Sequence, residues 1–183
     1  MKRSRTLALL TAGIMLATLP LFAQQKRKSP HETISRRIDG KVVMVVYGRP
    51  YTKDPNTGEA RKIWGSLVPY GKVWRLGADE ATLLVTEAPL EFSGTEVPAG
   101  AYSLYMLPDE TGTSKLIINK QVGQWGTVYD EKQDLARVDL TKGSVDSKVD
   151  QLTMAVEKGK ETGGVLRITW ESSTFSVPFT VKK

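Results

Sequence analysis

The sequence predicts an all-β protein, folded as a single antiparallel β-sandwich of jelly-roll-like character. Three observations carry this. About ten short runs rich in β-branched and aromatic residues follow one another, with turn residues between them at regular intervals. The last two runs alternate apolar and polar residues with a period of two, as a sheet with one covered face requires. Only Ile63 to Val68 and Glu131 to Leu135 are suited to a short helical turn.

Taken in order, Thr33 to Ile38 and Lys41 to Tyr47 flank Asp39-Gly40, a dipeptide that favours a tight hairpin. The continuously apolar Val42 to Tyr47 suits a central strand covered on both faces. Ala81 to Thr86 is the next strand, then Leu90 to Phe92 and Thr95 to Val97 around Ser93-Gly94. After the turn Pro98-Ala99-Gly100 come Ala101 to Leu107, Lys115 to Asn119, Ala136 to Thr141 and Gln151 to Glu157. In Val165 to Glu171, Leu166, Ile168 and Trp170 share a face. In Thr174 to Val181, Phe175, Val177 and Phe179 do so. Pro178 has no N–H for a ladder, which predicts an edge position or a bulge there.

The first 23 residues have the form of a secretory signal. Lys2, Arg3 and Arg5 precede an apolar stretch, Leu7 to Leu19, and Leu21-Phe22-Ala23 ends at a small residue. Cleavage after Ala23 would leave a mobile leader, residues 24–32, and one sandwich domain, residues 33–183, in the periplasm or the medium. No later stretch is apolar for the roughly 20 residues a spanning helix needs. The chain contains no cysteine, which excludes disulfides, thiol nucleophiles and thiolate zinc sites. Its formal charge of +6 comes from 26 basic and 20 acidic residues, and loss of Lys2, Arg3 and Arg5 brings it to +3. Acidic and basic residues alternate along the chain rather than forming one basic face, so nucleic acid is not an expected partner. Oligomeric state is not legible.

The stretch from Gly48 to Glu80 stands out. It joins two strands, is longer than most connections in compact domains, and concentrates Tyr51, Trp64, Tyr70, Trp74, Arg49, Arg61, Arg75, Asp79 and Glu80. Aromatic rings need burial or a ligand to cover them, and arginine forks grip carboxylate or phosphate oxygens in pairs.

Five strings in this chain resemble a family of exported bacterial proteins, the domain of unknown function 2911 family. They are Ser29-Pro30-His31, Tyr47-Gly48-Arg49-Pro50, the run from Val68 to Thr82, the run from Pro98 to Leu104, and Gln124-Trp125-Gly126. The resemblance implies export and a single compact domain, and it implies no activity. The family pattern often has Asn where this chain has Asp79, and the segment Tyr51 to Ala60 is longer than usual. A site involving Asp79 would therefore carry an extra formal charge here.

Three constellations have chemical potential. Asp79 and Glu80 are paired carboxylates, able to do acid–base work on a glycosidic bond if a turn at Gly77-Ala78 brings them to one side. The competing reading is an ion pair of either with Arg75 or Arg49. His31, the only histidine, could assist as a base. A zinc ion there would need three oxygen ligands, an unusual set, and neither a metal nor a cofactor is expected. The third constellation is a groove: Arg49 and Arg75 as anion-gripping donors, Tyr70 and Trp74 as its wall, and Glu80 orienting the arginines. Trp64, Trp125 and Tyr129 are further candidates for its lining. The competing reading makes Trp74 part of the core. Asp130, Glu131, Asp134 and Arg137 form a charged cluster expected to be solvated.

The leading functional reading is an exported, non-enzymatic binding module for a glycan or a small anionic ligand. One alternative is a glycan or ester hydrolase using Glu80 with Asp79 or His31. Another is a structural envelope protein pairing through a sheet edge.

Overall fold

The computed structural model describes residues 27–183, so the expected signal and residues 24–26 lie outside the described residues. The strands are β1 (His31–Ile38), β2 (Lys41–Gly48), β3 (Thr82–Thr86), β4 (Leu90–Phe92), β5 (Thr95–Val97) and β6 (Gly100–Leu107). They continue with β7 (Lys115–Asn119), β8 (Asp134–Asp139), β9 (Thr141–Lys158) and β10 (Gly163–Val181). A 3-10 turn covers Glu131–Gln133, within the stretch expected to be helical. Among the described residues no helix is long and apolar enough to cross a membrane.

Two antiparallel sheets pack face to face as a β-sandwich. One has six strands in the order β1-β2-β3-β6-β7-β8, and the other has four in the order β5-β4-β10-β9. The six-stranded sheet runs in chain order, interrupted only where the β4–β5 hairpin crosses to the other sheet. The core lies between them. Val43, Val45 and Tyr47 of β2 meet Leu152 and Met154 of β9 and Leu166, Ile168 and Trp170 of β10. This is where period-two alternation sends the apolar side chains.

Several expectations shift. The run Ala136 to Thr141 divides between β8 and β9, and β9 starts at Thr141, ten residues before the expected Gln151. β1 starts at His31, two residues early, because the ladder with β2 continues to His31 opposite Gly48. β2 buries one face fully and the other only in part, so Val42, Met44 and Val46 are half-buried. The two late runs are one strand, β10, bent by register shifts around Glu171, whose φ is 56°. β10 is an inner strand. Pro178 falls after its last pairing with β9 at Ser176 and before its pairing with β4 at Thr180, where no ladder bond is needed from it.

The connection between β2 and β3 is folded down over one end of the sandwich. Ile63, Val68 and Leu76 are fully buried in the core. Ile63 to Val68 is a set of turns closed by the Val68 N–H donating to the Ile63 carbonyl at 2.9 Å. β3 begins at Thr82, so β6 beyond Leu104 has no β3 partner. Trp74 takes that place: its N–H donates to the Met106 carbonyl at 2.7 Å, and its carbonyl accepts the Met106 N–H at 2.9 Å. Trp64 and Trp74 pack around Trp170 and Phe175.

Candidate functional site

A cleft of about 480 Å³ opens beside this folded-down connection. Trp74, Trp170, Tyr105 and Tyr129 supply aromatic lining, and Lys28, Arg61 and Arg75 supply positive charge. Tyr51 and Leu67 also line it and are exposed at its rim. Tyr105 reaches the cleft because β6 is covered on both faces. Leu104 and Met106 point into the core, while Tyr105 points outward under the 121–129 loop. Its hydroxyl donates to the Val128 carbonyl at 3.0 Å and accepts from Gln124 Nε2 at 2.9 Å, and burial pushes its pKa up. The Tyr129 ring lies 4.8 Å from that of Tyr105. Its hydroxyl donates to Asp134 Oδ2 at 2.7 Å, and burial together with that carboxylate pushes its pKa up to about 12.

The charges of the cleft are unbalanced. Arg27, Arg37, Arg49, Arg137 and Arg167 each pair with a carboxylate. Arg61 and Arg75 have no such partner among the described residues, and nor does Lys28. They are held by neutral acceptors instead. Arg75 Nε donates to the Gly77 carbonyl at 3.2 Å, Arg61 to the Tyr51 carbonyl, and Lys28 Nζ to Asn56 Oδ1 at 2.6 Å. The stem of Arg75 lies against Gly126, where a Cβ would come within 2.6 Å of Arg75 Cδ.

A second group of side chains gathers just beyond Asp79, which also lines the cleft. His31 is brought there by its register opposite Gly48. Gly48 in turn lies against the end of the connection: the Ala78 N–H donates to its carbonyl at 3.2 Å, and a Cβ on it would fall 2.2 Å from the Ala78 carbonyl oxygen. Only glycine permits that crossing. Leu76 and Asp79 both take left-handed backbone angles, with φ of 52° and 65°. The turn at Asp79 lets adjacent carboxylates face the same histidine, which a straight strand forbids. His31 Nε2 is 3.3 Å from Asp79 Oδ2 and 3.4 Å from Glu80 Oε2. Arg27 completes the group: it donates to both Glu80 oxygens and, at 2.9 Å, to His31 Nε2. The Arg27 guanidinium holds the Glu80 carboxyl down at about 2. His31 and Glu80 line a smaller cavity of about 200 Å³ with Val46, Leu83 and Gln124.

A family model described as protein of unknown function (DUF2911) matches residues 29–179. The chain belongs to this family. No curated protein and no solved structure matches it.

Of the residues picked from the sequence of this DUF2911 protein, Arg75 and Trp74 line the cleft, and Trp74 is also part of the aromatic packing. Asp79, Glu80 and His31 meet each other. Arg49 does not join them. It clasps the second sheet, donating from Nε to the Leu152 carbonyl and from Nη2 to Thr153 Oγ1, both at 3.0 Å, with Glu32 beside it at 3.3 Å. Tyr70 lies outside both cavities, its ring over Gly65. Glu80 is paired with Arg27, not with Arg49 or Arg75. The charged cluster after Trp125 is more than a wet surface. The Asp134 side chain is only 12% exposed and accepts from Asn119, Tyr129 and Arg137. The sequence places Arg27 and Lys28 in a mobile leader and Tyr105 only in a strand. The one signal for Tyr105 was a strand apolar at consecutive positions, Leu104 to Leu107, which implies cover on both faces.

Proposed function

We propose that this protein is an exported binding module that takes an anionic glycan, or a small anionic molecule with a flat apolar face, in the cleft over Trp74. The observation that carries this reading is the pairing pattern: among the described residues Arg61 and Arg75 line the cleft without a carboxylate partner, while most other arginines have one. A guanidinium kept in a partly buried cleft by carbonyl oxygens retains donors for an incoming carboxylate or phosphate. The neighbouring rings offer area for a sugar face at low entropic cost. The volume falls in the range of small-molecule sites.

The hydrolase reading is less well supported. A general acid at neutral pH needs a raised carboxyl pKa, and Glu80 is held at about 2 by Arg27. The edge-pairing reading has no specific feature in its favour.

Thermal shift of the purified protein against oligosaccharides with and without uronic acids, and against simple organic acids, tests the proposal. A ligand present at about 100 times its Kd adds roughly 2.7 kcal/mol. Stabilisation by acidic but not neutral members, lost in Arg75→Gln and in Arg61→Gln, supports it. Stabilisation that survives both substitutions, or none with any acidic ligand, overturns it.

A further inference from the structure

We propose that His31, Asp79 and Glu80 form a binding site for one divalent transition-metal ion, and that the Arg27 guanidinium is its internal substitute. This site shares Asp79 with the anion cleft, and its argument stands whether or not the cleft binds a glycan.

The donor geometry is the first argument. One imidazole nitrogen and two carboxylate oxygens lie within 4.8 Å of one another. Two of the spacings, 3.3 Å and 3.4 Å from His31 Nε2 to Asp79 and Glu80, are close to the edge of a zinc tetrahedron. Bonds of about 2.05 Å to nitrogen and oxygen give donors about 3.3 Å apart. Three protein ligands with a fourth position open is also the arrangement of zinc sites that keep a bound water.

The ring atom is the second. His31 meets the group through Nε2, which lies 2.9 Å from Arg27 Nη1, 3.3 Å from Asp79 Oδ2 and 3.4 Å from Glu80 Oε2, and a neutral imidazole protonated on Nδ1 offers that atom to a metal.

The backbone is the third. The site exists because Gly48 lacks a side chain: its Cβ would stand 3.1 Å from His31 Nε2 as well as colliding with Ala78. The smaller cavity adjoins His31 and Glu80 and leaves room for the fourth ligand.

The present occupant is the fourth. A cation already sits among these three side chains, bonded to both Glu80 oxygens and to His31, and 3.9 Å from Asp79. Its side chain is 48% exposed and its residue lies outside any strand, so an ion would displace it at the cost of one exposed ion pair. A nitrogen ligand with two carboxylates favours Zn²⁺ or Mn²⁺ over Mg²⁺ and Ca²⁺, which prefer oxygen alone.

The test is isothermal titration of the full chain, stripped of metal, with zinc chloride, manganese chloride and magnesium chloride. The expected result is one Zn²⁺ or Mn²⁺ per chain and no comparable Mg²⁺ binding. Affinity should be lost in His31→Ala and in Glu80→Gln. It should tighten up to about fivefold in Arg27→Ala, where one exposed ion pair no longer competes. Circular dichroism of each variant separates lost binding from lost fold, and His31→Gln serves if the alanine variant unfolds. Absence of Zn²⁺ and Mn²⁺ binding in Arg27→Ala, or binding indifferent to His31 and Glu80 in folded variants, overturns the proposal.

Discussion

The indole of Trp74 lies parallel to that of Trp170, with ring centroids 5.8 Å apart and an angle of 14° between the planes. This stack fastens the long connection to β10, and both rings line the cleft. Trp170 is fully buried, so Trp170→Ala leaves a large cavity and should cost about 3–5 kcal/mol. Urea denaturation measures it. A loss well under 1 kcal/mol would show that the connection is not held by this packing.

Gly126 sets the position of Arg75. A methyl group there would meet Arg75 Cδ at 2.6 Å and the Asp79 carbonyl oxygen at 2.8 Å. The arginine can swing aside, but the carbonyl belongs to a backbone fixed by the Gly126 N–H at 2.9 Å. Gly126→Ala should cost about 1–3 kcal/mol as an overpacked contact. Its melting temperature should fall, and ligand stabilisation at the cleft should weaken with it. A variant that melts like the parent and binds like it would refute the role of this contact.

Tyr47 joins the two sheets by one hydroxyl. It donates to Glu32 Oε2 at 2.6 Å and accepts the Met154 N–H at 2.8 Å. Tyr47→Phe keeps the ring and strands the buried Met154 N–H, so the expected loss is about 1–3 kcal/mol. Hydrogen exchange at Met154 should quicken in the same variant. Unchanged stability and unchanged exchange would mean that water replaces the hydroxyl.

High pH should weaken the fold through the tyrosines. Burial first, and then Asp134, raise the Tyr129 pKa from 10.0 to about 12. Burial and Glu32 push Tyr47 up as well. A group whose folded pKa is raised contributes stability in full below its unfolded value, near pH 10, and loses it as pH rises through the folded value. Stability measured by denaturant should therefore fall between about pH 10 and pH 12, and less steeply in Tyr129→Phe. Phenolate absorbance of the folded protein should show Tyr129 ionising late. Ionisation of all six tyrosines together near pH 10 would contradict this.

Much of the fold was legible because strand signals are local. Asp39-Gly40 set the first hairpin, and the alternation in β10 placed Leu166, Ile168 and Trp170 in the core. The importance of residues 48–80 was legible too, from aromatic and arginine density. What was not legible was which arginine faces which surface. Arg49 and Arg75 look alike in sequence, yet one clasps Leu152 and Thr153 while the other lines the cleft. The difference arises from residues more than a hundred positions away. Arg27 and Lys28 read as leader because a polar, basic run carries no local sign of a distant partner.

Composition and pattern alone determined a cysteine-free β body with a ring-rich connection, since hydrophobic alternation and turn chemistry act between near neighbours. The three-dimensional arrangement decided the rest: which cations around the cleft lack a carboxylate partner among the described residues, and that His31 meets Asp79 and Glu80 across a glycine crossing. Those outcomes depend on strand register and on backbone turns at Leu76 and Asp79, which are settled when distant segments pack rather than by the residues beside them.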